Sequence, residues 1–188
     1  KDKCLIIPGS GISFDYFNYT PIPKDIPLVV MISRMLIHKG VNEFVEAARI
    51  LKKEGFKARF VLVGSPDLDN PASLNNIQIN NLATNESIEY WGWKDEIHKI
   101  LPLATIVVLP SYREGLPKIL IEASACGRPI ITTDVPGCRD AIIPNETGIL
   151  VPVKDHKALA IAIKKLLSNP SLSQRMGQAG NRLAKKKF

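Results

Sequence analysis

Apolar residues follow two alternating rhythms along this chain. Residues 28–33, 59–63 and 105–109 are short apolar runs rich in Val and Ile, the pattern of strands buried on both faces. Shorter strands are expected over 88–91, 129–132 and 149–151. Between them the period changes. Val41, Phe44, Val45, Ala48 and Leu51 share one helical face across 41–54, and Gly55 stands where that helix should end. A helix over 117–126 carries Pro117 in its first turn and stops at Gly127. Leu159, Ala162, Ile163 and Leu166 line a helix capped by Asp155 and running to Leu167. Ser171 and Gln174 have the spacing of a capping box, so a last helix is expected to open beyond Pro170. A short helix over 94–101 and a weakly helical, Asn-rich stretch over 73–83 complete the pattern; 65–71 reads as a loop and 145–148 as a turn.

Strands separated by helices of this length are βαβ units. The expected fold is therefore α/β, a Rossmann-like parallel sheet with helices on both faces. In such sheets ligands bind off the carboxyl ends of the strands. That singles out four loops: 34–40, 64–71, 110–116 and 133–137.

Composition agrees with one globular domain: 188 residues, 45% hydrophobic and 23% charged. No apolar run reaches the roughly 18 residues that a membrane-spanning helix needs. The start, Lys1-Asp2-Lys3-Cys4, has no initiator Met, apolar h-region or cleavage site, which points to a processed chain or an excised fragment without a signal peptide. Cys4, Cys126 and Cys138 are odd in number and show no Cys-x-x-Cys; they read as ordinary thiols in a reducing, cytoplasmic setting. The net charge of +7 suits anionic ligands or surfaces. With 6% aromatics and no basic stripe among them, nucleic acid is not an expected partner.

Two of the four loops carry chemistry. The first puts Arg34 and Lys39 just before a helix, where the dipole and free N–H groups add to their field; they are either an anion site suited to a diphosphate or solvated cations. The loop 110–117 (PSYREGLP) puts Glu114 at a helix mouth and Glu122 eight residues on, inside an apolar helix. A carboxylate there needs a partner, either a ligand hydroxyl pair or a neighbouring Lys or backbone group. Gly115 lets the chain approach a ligand closely, and the N–H groups of Gly115 and Leu116 could meet a phosphate. His38, His98 and His156 do not pair at metal-ligand spacing and read as surface residues.

The motifs Ser-Arg-Met-x3-Lys-Gly (33–40) and Pro-Ser-x2-Glu-Gly-Leu-Pro-x4-Glu-Ala (110–123) resemble those of family 4 retaining glycosyltransferases of the GT-B fold. Segments 59–64, 125–130 and 147–151 agree, and 7–13 resembles the family's entrance to its C-terminal domain. The resemblance covers nearly the whole chain. It implies one half of a GT-B fold, residues 1–188 being the donor-binding domain, without the N-terminal acceptor domain. The implied catalytic residues are Glu114, Arg34 and Lys39. Arg34 and Lys39 would bind the donor diphosphate, Glu114 the donor-sugar hydroxyls and Glu122 the ribose. Backbone N–H groups of Gly115, Leu116 and Lys118 would meet phosphate and sugar. Trp93 would be a neighbour of the base or part of the core. The implied donor is a nucleotide-sugar, UDP by default, with no metal and no cofactor. The implied acceptor is a polyprenol-linked or cell-surface glycan, and the isolated chain would be inactive. The full-length protein would touch the cytoplasmic membrane face peripherally. Asp67-Leu68-Asp69 matches the metal-binding Asp-x-Asp of GT-A enzymes, but its Pro-flanked setting reads as a turn. A nucleotide-sugar 2-epimerase of the same architecture and a non-catalytic nucleotide-binding module are the alternatives.

Overall fold

The structure, a computed structural model, describes residues 11–83 and 87–188. Cys4 and the first part of the 7–13 segment lie outside the described residues. Strand β1 (Leu28–Ile32) is followed by helix α1 (Val41–Lys53), β2 (Arg59–Val63), α2 (Asn76–Ala83), β3 (Glu89–Tyr90) and α3 (Ile97–Ile100). The second half holds β4 (Ile106–Leu109), α4 (Lys118–Ala125), β5 (Ile130–Thr133), α5 (Pro136–Asp140), β6 (Gly148–Val151), α6 (His156–Leu167) and α7 (Pro170–Lys187). Among the described residues the strands form one six-stranded sheet in the order β3-β2-β1-β4-β5-β6, every neighbouring pair parallel. The chain builds outward from β1 to β3, then crosses to β4 and builds the other way. The gap between the β1 and β4 carboxyl ends is the switch point where such sheets bind ligands.

The strand side chains divide by the period of two. Val29, Met31, Phe60 and Leu62 face α1, α2 and α6, while Val30, Ile32, Val61 and Val63 face α3, α4 and α5. Both faces are covered, which is why these strands read as unbroken apolar runs. Each fully buried Val, Leu, Ile or Phe contributes about 1.5–3 kcal/mol over its exposed state. Helix α7 lies along α4 and touches α6.

Local chemistry departs from the sequence pattern at several places. Asp155 does cap α6, accepting from Ala158 N–H at 2.8 Å. The cap of α7, however, is Asn169, which accepts from Leu172 N–H at 3.0 Å; Pro170 is the first residue inside that helix, and the Ser171/Gln174 box does not form. Asn is as good a cap as Ser, and Pro prefers the position after it. Pro117 is extended and α4 begins at Lys118. Residues 133–137 are not a plain loop, since Pro136 starts α5. The expected 94–101 helix shrinks to α3 and a following 3-10 turn.

Candidate functional site

The 34–40 and 110–116 loops meet at the switch point and are locked together by backbone. After β1 the chain makes one 3-10 turn, Ile37–Lys39, and enters α1 through Gly40. Gly40 lies in the left-handed region (φ 81°), and a Cβ there would come within 2.2 Å of the Pro110 carbonyl oxygen. The His38 carbonyl accepts from Tyr112 N–H at 2.8 Å and from Ser111 Oγ at 3.2 Å. From the other side, a Cβ on Gly137 of α5 would fall 1.9 Å from the Gly115 carbonyl oxygen. Thr133 Oγ1 donates to the Ser111 carbonyl. Three of the four ligand-end loops thus form one rigid unit.

That unit brings Lys39 and Glu114 together. Lys39 Nζ donates to Glu114 Oε1 at 2.5 Å, and the two side chains are only 16% and 11% exposed. Arg34 Nη1 reaches Asp67 Oδ2 at 2.6 Å, in a pair whose arginine is more than half exposed (56%). The Lys39–Glu114 pair is shielded from water and strongly coupled; the Arg34–Asp67 pair is screened and easily exchanged for another anion. Two adjoining clefts of about 340 and 350 Å³ share Arg34, Lys39 and Glu114 as a wall. Leu116 and Lys118 are among the other residues lining the first, and His38, Arg113 and Gly115 complete the second. His38, read as a surface residue, therefore lines the site. Burial, and then the charges of Lys39, Arg113 and Arg34, hold its imidazole below its ordinary range, so it is neutral at pH 7.

Glu122 and Trp93 do not border these clefts. Trp93 is 65% exposed and donates from Nε1 to Asp95 at 2.6 Å, so it is not a core residue. Glu122 is 8% exposed on α4, with Lys118 Nζ at 3.7 Å. Burial raises its carboxyl above the ordinary range, against the pull of Lys118. A raised carboxyl contributes stability that is present below the unfolded pKa and lost as pH rises through the folded one. At neutral pH Glu122 is thus a cost to the fold. Glu122→Gln is expected to raise the melting temperature at pH 7 by roughly 2–4 °C, the equivalent of about 1 kcal/mol, with the gain shrinking toward pH 4. A lower melting temperature at pH 7 would show that the carboxylate is already satisfied.

Sequence reasoning missed Asp67, Tyr112, His38 and Gly137. The turn expected at Asp67 does form, its carbonyl accepting from Asn70 N–H at 2.9 Å, but its carboxylate holds Arg34. The available signal was that both of their loops leave the same sheet end. Among the described residues no group of three or more His, Cys, Asp or Glu could hold a metal ion, and no helix is long and apolar enough to cross a membrane. Cys126 and Cys138 are free and buried.

With this geometry in place, the comparisons with known proteins decide the family. The family profile described as "Glycosyl transferases group 1" matches residues 14–183. The chain belongs to the group 1 glycosyltransferases. It is 41% identical over 146 residues to N,N'-diacetylbacillosaminyl-diphospho-undecaprenol alpha-1,3-N-acetylgalactosaminyltransferase of Campylobacter jejuni, covering 78% of this chain and 37% of that protein. It is 27% identical to the Staphylococcus aureus capsular polysaccharide biosynthesis glycosyltransferase CapM, covering 96% of this chain and 49% of CapM. The chain thus spans half or less of the length of the relatives it matches. Sucrose-phosphate synthase from Thermosynechococcus elongatus superimposes with a TM-score of 0.84 at 29% identity, covering 96% of this chain and 48% of that one. Anabaena HepE, solved in complex with UDP, shares the fold at a TM-score of 0.82, 18% identity and coverages of 95% and 52%. These neighbours are GT-B glycosyltransferases, so the parallel sheet belongs to that architecture.

Proposed function

We propose that this chain is the donor-binding domain of a retaining transferase that moves a sugar from UDP to a lipid-linked or glycan acceptor. The observation that carries this is the shielded Lys39–Glu114 pair at the switch point, with Arg34 beside it. A donor diphosphate in the shared cleft would meet Arg34, freed from Asp67, and Lys39. Their charge would stabilise the phosphate oxygen as the sugar–phosphate bond breaks, the kind of preorganised contribution worth several kcal/mol. Glu114 would hold sugar hydroxyls and keep Lys39 in place. The N–H groups of Gly115, Leu116 and Lys118 would hold phosphate and sugar, Glu122 the ribose hydroxyls, and exposed Trp93 would offer a face to the base. This chemistry asks for no metal or cofactor. UDP is preferred because a protein of the same fold was solved with UDP bound. The acceptor class is supported by the diphospho-undecaprenol substrate named for the Campylobacter relative. On this proposal an N-terminal acceptor domain of the same protein faces these clefts, makes any contact with the cytoplasmic membrane face, and is required for transfer.

Calorimetric titration of the chain with UDP, GDP, ADP and UDP-GlcNAc, with and without EDTA, tests this. Saturable binding of UDP and its sugar, unchanged by EDTA, is the expected result; no heat at millimolar UDP would sink it. His38 adds a pH signature. A bound diphosphate raises its depressed pKa, so binding takes up protons. Affinity is expected to rise about two- to fivefold from about pH 7.5 to about pH 6, after allowance for UDP's own titration, and His38→Asn to remove the rise.

A further inference from the structure

Tyr112 is not among the residues that line the two clefts, yet it joins the 110–116 loop to the 34–40 loop and to α1. Its backbone N–H holds the His38 carbonyl, one residue before Lys39. Its phenol donates to Glu43 Oε1 at 2.8 Å. Glu43 lies in the first turn of α1, three residues beyond Gly40. The Lys154 ammonium, from the loop after β6, lies 5.2 Å from the centre of the Tyr112 ring. Glu43 Oε2 is buried with no hydrogen-bond donor among the described residues, so the phenol is the side-chain donor this carboxylate has. Burial, then the hydrogen bond and charge of Glu43, push the phenol up to about 12, so it remains a donor throughout the working range.

This geometry is a strut. The residues it braces are the two members of the shielded ion pair: Glu114 is two positions after Tyr112, and Lys39 is four before Glu43. We infer that the Tyr112–Glu43 hydrogen bond is the positioning element that holds the 110–116 loop against the first turn of α1, fixing Glu114 and Lys39 at the spacing a donor diphosphate and sugar require. Tyr112 and Glu43 act through that pair and touch no ligand; the inference rests on the donor-site proposal above.

The test uses three variants, Tyr112→Phe, Glu43→Ala and Glu43→Gln, with the double variant Tyr112→Phe/Glu43→Ala. Two readouts are taken: UDP affinity by calorimetry and backbone hydrogen exchange. Tyr112→Phe and Glu43→Ala are each expected to weaken UDP binding about tenfold and to speed exchange over 111–116, since each removes a hydrogen bond to a charged group. Glu43→Gln keeps an acceptor for the phenol and should recover most of both. The double variant should be no worse than either single, because one bond is lost in all three. Unchanged UDP affinity and loop exchange in Tyr112→Phe would overturn the strut. So would faster exchange spread evenly over the chain with UDP affinity intact, which marks a purely structural role. Absence of UDP binding in the unsubstituted chain would instead overturn the donor-site proposal, and the exchange comparison would still decide whether the bond holds the loop.

Discussion

Lys39→Ala is expected to weaken UDP binding about 30- to 100-fold and to destabilise the fold by about 2–3 kcal/mol, two effects with separate causes. The first is the loss of a shielded cation from the shared cleft. The second is the carboxylate left behind, since Glu114 is 11% exposed and Lys39 is the cation it pairs with. Breaking one side of a buried pair costs more than removing both. The double variant Lys39→Ala/Glu114→Ala should therefore regain most of the stability in a urea titration and none of the UDP affinity. Arg34→Ala gives the contrast. Its pair with Asp67 is exposed, so stability should move by less than about 1 kcal/mol while UDP binding still falls. Wild-type UDP affinity in Lys39→Ala would remove the pair from the site.

The largest expected loss of stability lies far from the clefts, at Arg128. This side chain is fully buried and has no carboxylate partner among the described residues. Its guanidinium instead donates to backbone carbonyls: Nη1 to Ala104 at 2.8 Å, Nη2 to Cys126 at 2.9 Å, and Nη2 also to Thr20. It ties the segment before β1 to the turn between α4 and β5. Burial lowers its pKa to about 10, so it is still charged at pH 7. Arg128→Leu would leave those carbonyls unpaired in the interior and is expected to cost about 3–5 kcal/mol, a fall in melting temperature of roughly 10 °C. Arg128→Lys should recover only part, because an ammonium cannot reproduce the planar fork. Exchange over 14–27 should rise most. UDP affinity below the melting temperature should hold, because Arg128 precedes β5 at the sheet end opposite the clefts. A melting temperature within about 2 °C of wild type in Arg128→Leu would show that the carbonyls find other donors.

Arg34, Lys39, Glu114, Gly115, Leu116 and Lys118 were legible in the sequence because each lies within a few residues of a strand's end or a helix's start. Once the apolar runs identify the strands, chain direction fixes which loops face the ligand side, and the motifs name the side chains. Arg128 was legible only as part of a motif. Nothing in the surrounding sequence hints that backbone carbonyls at residues 20, 104 and 126 will surround it. Asp67 forms the turn its Pro- and Asn-rich surroundings predict, but those surroundings report only the backbone, not that its carboxylate ends on Arg34.

The sequence by itself determined the α/β class, the sheet's two covered faces and the loops that carry the charges, because periodicity and turn chemistry are local and a few residues suffice to express them. Tertiary structure alone decided the partners: Lys39 with Glu114, Arg34 with Asp67, Tyr112 with Glu43, and Gly137 under Gly115. Those pairs join residues 22 to 75 positions apart. Their energies depend on separation and shielding from water, which exist only once the β1–β4 crossover has brought the loops to one end of the sheet.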